Sequence, residues 1–226
     1  MIDYYVSIGQ KSIFLRPVNY QGFARKKFSH SKAEYQTWIE NYQKALKYIF
    51  DLNFSESKQI TEFGFEVAVK RIFYPHYNSH VDLRSPNPAV RDYLVINYDG
   101  KIYPSDEARM LSRIKHIDLA MGNILTGIDK KSVSDFNWNQ MNDVHEDCIH
   151  CAYKPFCGID TIDDLSRYNR TDLPKHETYF CKSHMSVFDF IFSKLKQSDP
   201  TTLFNIQGHL TGDFSMKPMM TEWLYD

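Results

Sequence analysis

The chain has 226 residues, a net charge of −1 and 42% hydrophobic residues, an ordinary composition for one large folded domain or two small ones. Its 27 basic and 28 acidic side chains leave no electrostatic footprint for nucleic acid or an anionic membrane. No run is long enough to span a bilayer, and Met1-Ile2-Asp3-Tyr4-Tyr5 lacks the basic and apolar segments of a secretory signal. A reducing cytoplasm is the expected compartment, where clustered cysteines read as metal ligands or redox thiols rather than disulfides.

Ser12-Ile13-Phe14-Leu15-Arg16-Pro17-Val18 predicts a buried strand that stops at its proline. A loop with Gly22 and Arg25-Lys26-Lys27 follows. Ser31-Lys32-Ala33-Glu34 has the form of a capping box. Behind it Tyr35, Trp38, Tyr42, Leu46 and Ile49 recur at helical spacing, with Ile39, Ala45 and Phe50 widening the stripe, so a helix is expected as far as Asp51. A second helix is expected from Thr61 to Lys70. A strand followed by helices points to an α/β unit. The stretch from Tyr74 to Val90, with Pro75, Pro86 and Pro88, reads as a linker; its His76 and His80 are not assigned a metal.

A hairpin is expected next: Tyr93 to Tyr98, a two-residue primed turn at Asp99-Gly100, and a return through Lys101-Ile102-Tyr103. Ser105 can cap a short helix, with Asp106 and Glu107 in the first turn, where the helix dipole favours them, and Met110 and Leu111 facing inward. Asp106, Glu107 and Arg109 then serve either as cap and salt bridge or as a contact for a peptide. Ile117 to Met121 reads as extended, Gly122-Asn123 as a turn, Ser134 to Trp138 as a short helix and Ser183 to Lys196 as a last helix. The segment after Asp199 shows no firm pattern. Aromatics make up 15% of the chain, which predicts an aromatic-rich core, with a peptide-gripping surface as the alternative.

All four cysteines, Cys148, Cys151, Cys157 and Cys181, lie in the second half, in the order C-x2-C-x5-C, 23 residues, C. Two thiolates two residues apart can face one centre, a third completes a face, and a distant fourth closes the shell. Four sulfurs suit zinc or an iron–sulfur cluster, and spacing alone favours the commoner zinc. Glu146 and Asp147 are expected to cap the loop, His150 to face solvent rather than act as an alternative ligand, and Lys154 either to place charge near the site or to be an ordinary surface residue.

The surroundings carry a resemblance. Tyr98-Asp99-Gly100-Lys101-Ile102-Tyr103-Pro104-Ser105, Gly122-Asn123-Ile124 and Cys148-Ile149-His150-Cys151-Ala152-Tyr153-Lys154-Pro155-Phe156-Cys157-Gly158 resemble the SPASM domain, the C-terminal extension of many peptide-modifying radical SAM enzymes. That family binds two auxiliary [4Fe–4S] clusters. Here the family's G-x4-C cysteine is Ser105, the x3-C cysteine after Cys157 is Thr161, and no cysteine lies upstream of Gly100. The losses fall on the ligands of the first auxiliary cluster and spare those of the second, which implies one [4Fe–4S] cluster on Cys148, Cys151, Cys157 and Cys181, with zinc as the alternative. Phe14-Leu15-Arg16-Pro17, Gly22-Phe23-Ala24, Val81-Asp82-Leu83-Arg84-Ser85-Pro86 and Ser105-Asp106-Glu107-Ala108-Arg109-Met110-Leu111 look, more narrowly, like the His-Xaa-Ser system radical SAM maturase.

The resemblance implies an α/β fold: the C-terminal portion of a partial (β/α) barrel over residues 1–88, followed by a small α+β SPASM-type domain with a β-hairpin over residues 89–226. The C-x3-C-x2-C motif that holds the S-adenosylmethionine cluster is absent, because every cysteine is already assigned. S-adenosylmethionine therefore belongs to a complete enzyme, whose missing radical SAM half lies in a longer chain or a separate one. The implied partners are that half and a peptide substrate, with Ser105, Asp106, Glu107 and Arg109 as candidate substrate contacts. The rival from another class is a non-catalytic, zinc-stabilised peptide-binding module.

Overall fold

The computed structural model describes residues 1–26, 33–74 and 93–215. In chain order its elements are α1 (Ile2–Ser7), β1 (Ser12–Ile13), α2 (Ala33–Glu56), β2 (Thr61–Glu62), α3 (Phe63–Phe73), β3 (Val95–Ile96), β4 (Ile102–Tyr103), α4 (Asp106–Arg113), β5 (Gly122–Asn123), β6 (Gly127–Ile128), α5 (Lys130–Asn139), α6 (Glu146–Ile149), α7 (Thr161–Tyr168), α8 (Tyr179–Gln197) and α9 (Pro200–Thr211). This is a helix-rich α/β chain with small sheets. It divides into two compact units, one of Met1–Pro17, Gln36–Tyr77 and Met185–Asp226, the other of Val18–Tyr35 and Asn78–His184. No helix among the described residues is long and apolar enough to cross a membrane. Ser31 and Lys32 of the expected capping box, the stretch Val81–Pro86, His76, His80 and the expected boundary at residue 88 lie outside the described residues.

In the first unit β1 and β2 run parallel, Ser12 opposite Thr61 and Ile13 opposite Glu62, with α2 between them in sequence. The apolar stripe of α2 is buried at Ile39, Tyr42, Leu46, Ile49 and Phe50. The helix continues past Asp51 because the next residues also have inward places. Leu52 is buried, and Asn53 exchanges two hydrogen bonds with the backbone of Ile60, both 2.8 Å. The expected strand shortens to β1 because the Leu15 N–H turns to Glu62 Oε1 at 2.9 Å. The helix expected from Thr61 starts at Phe63, since Glu62 is its N-cap and accepts from Phe65 N at 2.7 Å.

The segment after Asp199 is a helix, α9. Asp199 caps it by accepting from Thr202 N at 3.0 Å, Pro200 occupies the first turn, and Gly212 closes it in the left-handed region with φ 74°. This helix delivers His209 and Asn205 to the core. Glu62 N–H donates to His209 Nε2 at 3.0 Å, so the ring proton sits on Nδ1, which donates to Asn205 O at 2.7 Å. Asn205 Oδ1 accepts from Asn53 at 2.7 Å.

In the second unit β3 and β4 pair antiparallel, Val95 opposite Tyr103 and Ile96 opposite Ile102. The expected two-residue primed turn does not form. A type I′ turn needs positive φ at both central residues, and of this pair only Gly100 has it, at 80°. Asn97 N–H donates to Lys101 O and Gly100 N–H to Asn97 O, each at 2.9 Å, which makes Tyr98–Gly100 a three-residue loop. Asp99 holds it by accepting from Asn97 Nδ2 at 2.9 Å and Lys101 N at 3.1 Å.

Gly122-Asn123, expected as a turn, is β5; it pairs with β6 and bridges to Lys101 beside β4. Gly122 has φ 138°, and a Cβ there would stand 2.2 Å from Gly127 O. Helix α5 is longer than Ser134–Trp138 because Asp129 caps it earlier, accepting from Lys131 N at 3.0 Å. Helix α7, which periodicity did not suggest, is capped by Asp160. The core of this unit gathers Ala108, Leu111, Met121, Phe136 and Ile162, with Tyr93, Ile117 and Val133 packed against it. Gln21 joins the unit through Asp163 at 3.1 Å, and Arg167, paired with Asp163 at 2.8 Å, lies over the rings of Tyr20 and Tyr179.

Candidate metal centre

Three of the cysteines ride on a succession of tight turns. His145 O accepts from Cys148 N at 2.9 Å, Cys148 O from Cys151 N at 3.2 Å, Cys151 O from Lys154 N at 3.1 Å and Lys154 O from Cys157 N at 3.4 Å. Asn142 Nδ2 anchors the last of these by donating to Cys157 O at 2.8 Å. Neither α6 nor the following 3-10 turn, Lys154–Phe156, contributes a buried residue.

The fourth cysteine arrives on a helix. Helix α8 starts at Tyr179, four residues before the expected Ser183, and so takes Cys181 into its first turn. Cys181 N–H donates to Thr178 Oγ1 at 3.3 Å, and the Thr178 hydroxyl donates to Lys175 O at 2.9 Å. Asp147, the neighbour of Cys148, accepts from Lys175 N–H at 2.7 Å and pairs with His176 Nδ1 at 2.8 Å. The Lys175 ammonium turns inward to Asp164 Oδ2 at 2.7 Å and Thr171 O at 3.0 Å. These bonds draw the start of α8 back to α6.

The thiols register this approach. The Cys181 thiol is pushed up to about 11, first by burial, then by Cys148, Cys151, Asp147 and Asp164. Burial also raises the Cys148 thiol, followed by Cys151 and Asp147, while Lys175 and Lys154 pull it down. Cys148, Cys151 and Cys181 thus lie within one another's electrostatic reach. Cys157 turns its thiol to Gly158 O at 3.1 Å. None of the four is disulfide-bonded, and all are partly buried. Among the described residues no three His, Cys, Asp or Glu side chains form a group that holds one metal ion.

The donor set nonetheless suits a metal. Four soft sulfurs come from two segments, and burial disfavours the free thiolates of Cys148 and Cys181; a cation would reverse that balance while releasing protons. The same set accepts zinc or an iron–sulfur core. His150 is exposed, as expected, and the Lys154 ammonium is engaged with Asp143.

The other candidates, on α4, have one another as partners. Ser105 Oγ accepts from Ala108 N at 3.3 Å and donates to Glu107 Oε2 at 2.9 Å, and Arg109 pairs with Asp106 at 2.6 Å. Sequence reasoning missed Lys175, Asp164 and Thr178. Thr178, three residues before Cys181, is an N-cap signal that was legible. A buried lysine carries no local signal.

No family model matches the sequence, and no curated protein matches it. Among solved structures the chain is similar to native anSMEcpe, an anaerobic sulfatase-maturating radical SAM enzyme, with bound AdoMet and the Cp18Cys peptide. The TM-score is 0.51 at 19% identity, over 87% of this chain and 52% of that one. The chain therefore spans about half the length of the structure it matches, and what the two have in common at this identity is the fold.

Proposed function

We propose that this chain is the auxiliary-cluster part of a radical SAM enzyme that modifies a ribosomally made peptide. Residues 1–88 would be the end of a partial (β/α) barrel and residues 89–226 a SPASM-type domain. The reading rests on one observation above others: hydrogen bonds from Lys175 N–H to Asp147, from the Thr178 hydroxyl to Lys175 O and from Cys181 N–H to Thr178 Oγ1 tie the start of α8, with Cys181, to the segment of Cys148. The fold likeness to a peptide-bound radical SAM enzyme supports it.

In this reading Cys148, Cys151, Cys157 and Cys181 hold one [4Fe–4S] cluster, which when bound supplies one-electron transfer or a structural brace. The chain's own residues hold the ligand loops and keep the thiols partly out of water. Two hydroxyls stand where the family has ligands of another cluster, and both do local structural work. Ser105 caps α4, and the Thr161 hydroxyl donates to Asn139 O at 3.2 Å. Binding of S-adenosylmethionine falls to the rest of a complete enzyme. The start of α4, with Ser105, Asp106, Glu107 and Arg109, is the proposed place of peptide contact, and a peptide with His-Xaa-Ser repeats is the narrower candidate substrate.

Anaerobic reconstitution tests this. The expected protein is brown and carries iron and sulfide in equal amounts. Given S-adenosylmethionine and a strong reductant, this chain alone forms no 5′-deoxyadenosine. A colourless protein with one zinc would instead establish the zinc-stabilised peptide-binding module.

A further inference from the structure

We infer that the cleft between the β3–β4 hairpin loop and the end of α4 binds a carboxylate of an acidic peptide, held by Arg113 and Lys115. The inference deepens the peptide-modifying reading above and rests on it for the class of ligand. The cleft lies within the second unit and has a volume of about 450 Å³, inside the range of about 300–1,000 Å³ usual for ligand sites. Its walls carry three cations, Lys101, Arg113 and Lys115, against two carboxylates, Asp99 and Asp118. Both carboxylates are engaged. Asp118 Oδ2 pairs with Lys101 at 3.0 Å, and its Oδ1 accepts from Ala120 N at 3.1 Å, while Asp99 is turned into the hairpin loop. Among the described residues Arg113 and Lys115 have no ion pair. The positive charge left over is theirs, and it calls for an anion.

Local structure holds both cations in place. The Arg113 guanidinium lies over the Tyr98 ring at 5.0 Å, which steadies its planar fork against the hairpin loop. The end of a helix favours a cation, so Arg113 has a local reason to be there. Lys115 has less. It stands at the left-handed position after α4, φ 57°, fixed by Lys115 N–H to Ser112 O and His116 N–H to Leu111 O, each at 3.0 Å. That position favours glycine, so the lysine side chain is kept there at a conformational cost. At the other end of α4 the charges already partner one another, Arg109 with Asp106 at 2.6 Å. From Asp106 to Arg113 the helix rises about 10 Å, which an extended peptide covers in about three residues. A substrate that touches the start of α4 would thus carry its Asp or Glu about three residues away.

Calorimetric titration of the full chain with a short peptide containing Asp and Glu, and with its Asn and Gln counterpart, tests this. The acidic peptide is expected to bind, more weakly as salt rises, and the amide counterpart not to bind. R113Q and K115G are each expected to weaken binding about 2- to 5-fold, the worth of one exposed charge pair. Glycine suits the backbone at position 115, so K115G keeps or raises the melting temperature, and its loss of binding is not a loss of fold. K130A, which removes an exposed cation of the same unit outside the cleft, binds as wild type does. The inference is overturned if the two peptides bind alike or if R113Q/K115G binds the acidic peptide as wild type does. It is also overturned if acetate or inorganic phosphate binds as tightly as the peptide, which would mark an adventitious anion site only. The titration needs no metal, so the two readings fail separately. A chain that takes up no iron yet binds the acidic peptide through Arg113 and Lys115 sinks the cluster reading and keeps the cleft. One that holds iron and sulfide but shows no preference for the acidic peptide does the reverse.

Discussion

Glu62 and His209 illustrate how single side chains set the pH behaviour of the first unit. Burial holds the Glu62 carboxyl above its usual range, opposed by hydrogen bonds from Tyr42 and from the backbone of Leu15, Phe65 and Gly64. Its contribution to stability is present at low pH and is lost as pH rises through its folded value. His209 works the other way. Unfolded, it takes up a proton near 6.5; folded, burial delays this to about 4. The stability it confers is complete above pH 6.5 and is lost as pH falls toward 4, a change of about 3 kcal/mol. Urea midpoints are expected to fall across that window in wild type, and the H209Q profile is expected to be flatter there. In the second unit, Gly122→Ala puts a methyl against Gly127 O at an unfavourable φ. It should cost about 1–3 kcal/mol, read as a lowered melting temperature.

At the scale of elements, caps decide where helices begin more sharply than propensity does. Glu62, Ser105, Asp129, Asp160 and Asp199 each accept a backbone N–H at a helix start. Asp199 is the clearest case for a test, because its carboxylate meets Thr202 through both the backbone and the hydroxyl. Asp199→Ala is expected to cost about 1 kcal/mol in chemical denaturation, with no change in metal retention. The Asp-Pro start and the Gly212 stop of α9 were present in the sequence; the weak apolar periodicity between them hid the helix. Helix α2 was legible because its stripe, from Tyr35 to Phe50, repeats over about four turns. The hairpin was legible as a pair of strands, whereas its loop was not: the side chain of Asp99 selected among turns that one dipeptide permits.

For the whole molecule, the two units have different sources of stability. The second unit has an apolar cluster around Ala108, Leu111 and Phe136, yet α6 and the turn after Cys151 bury nothing. In the proposed reading the 146–157 segment, with so little apolar burial of its own, would depend on metal binding for its order, since ligand-binding free energy is folding free energy in such places. Stripping metal from the reconstituted protein should therefore raise backbone hydrogen exchange at 146–157 and 175–181 and leave α3 and α9 protected. Uniform exchange changes along the chain, or none, would contradict this.

What the sequence by itself determined follows from short-range rules: the inward stripe of α2, the paired runs either side of Asp99-Gly100, the Ser105 cap, and a cysteine spacing suited to one centre. Each depends on residues a few positions apart, where chain geometry leaves little choice. Only the tertiary structure decided that Glu62 is buried beside His209 and that β1 pairs with β2 in parallel. It alone showed that the Lys175 ammonium turns inward to Asp164. Those outcomes depend on segments brought together across long loops, where the cost of closure is offset by packing that no local pattern records.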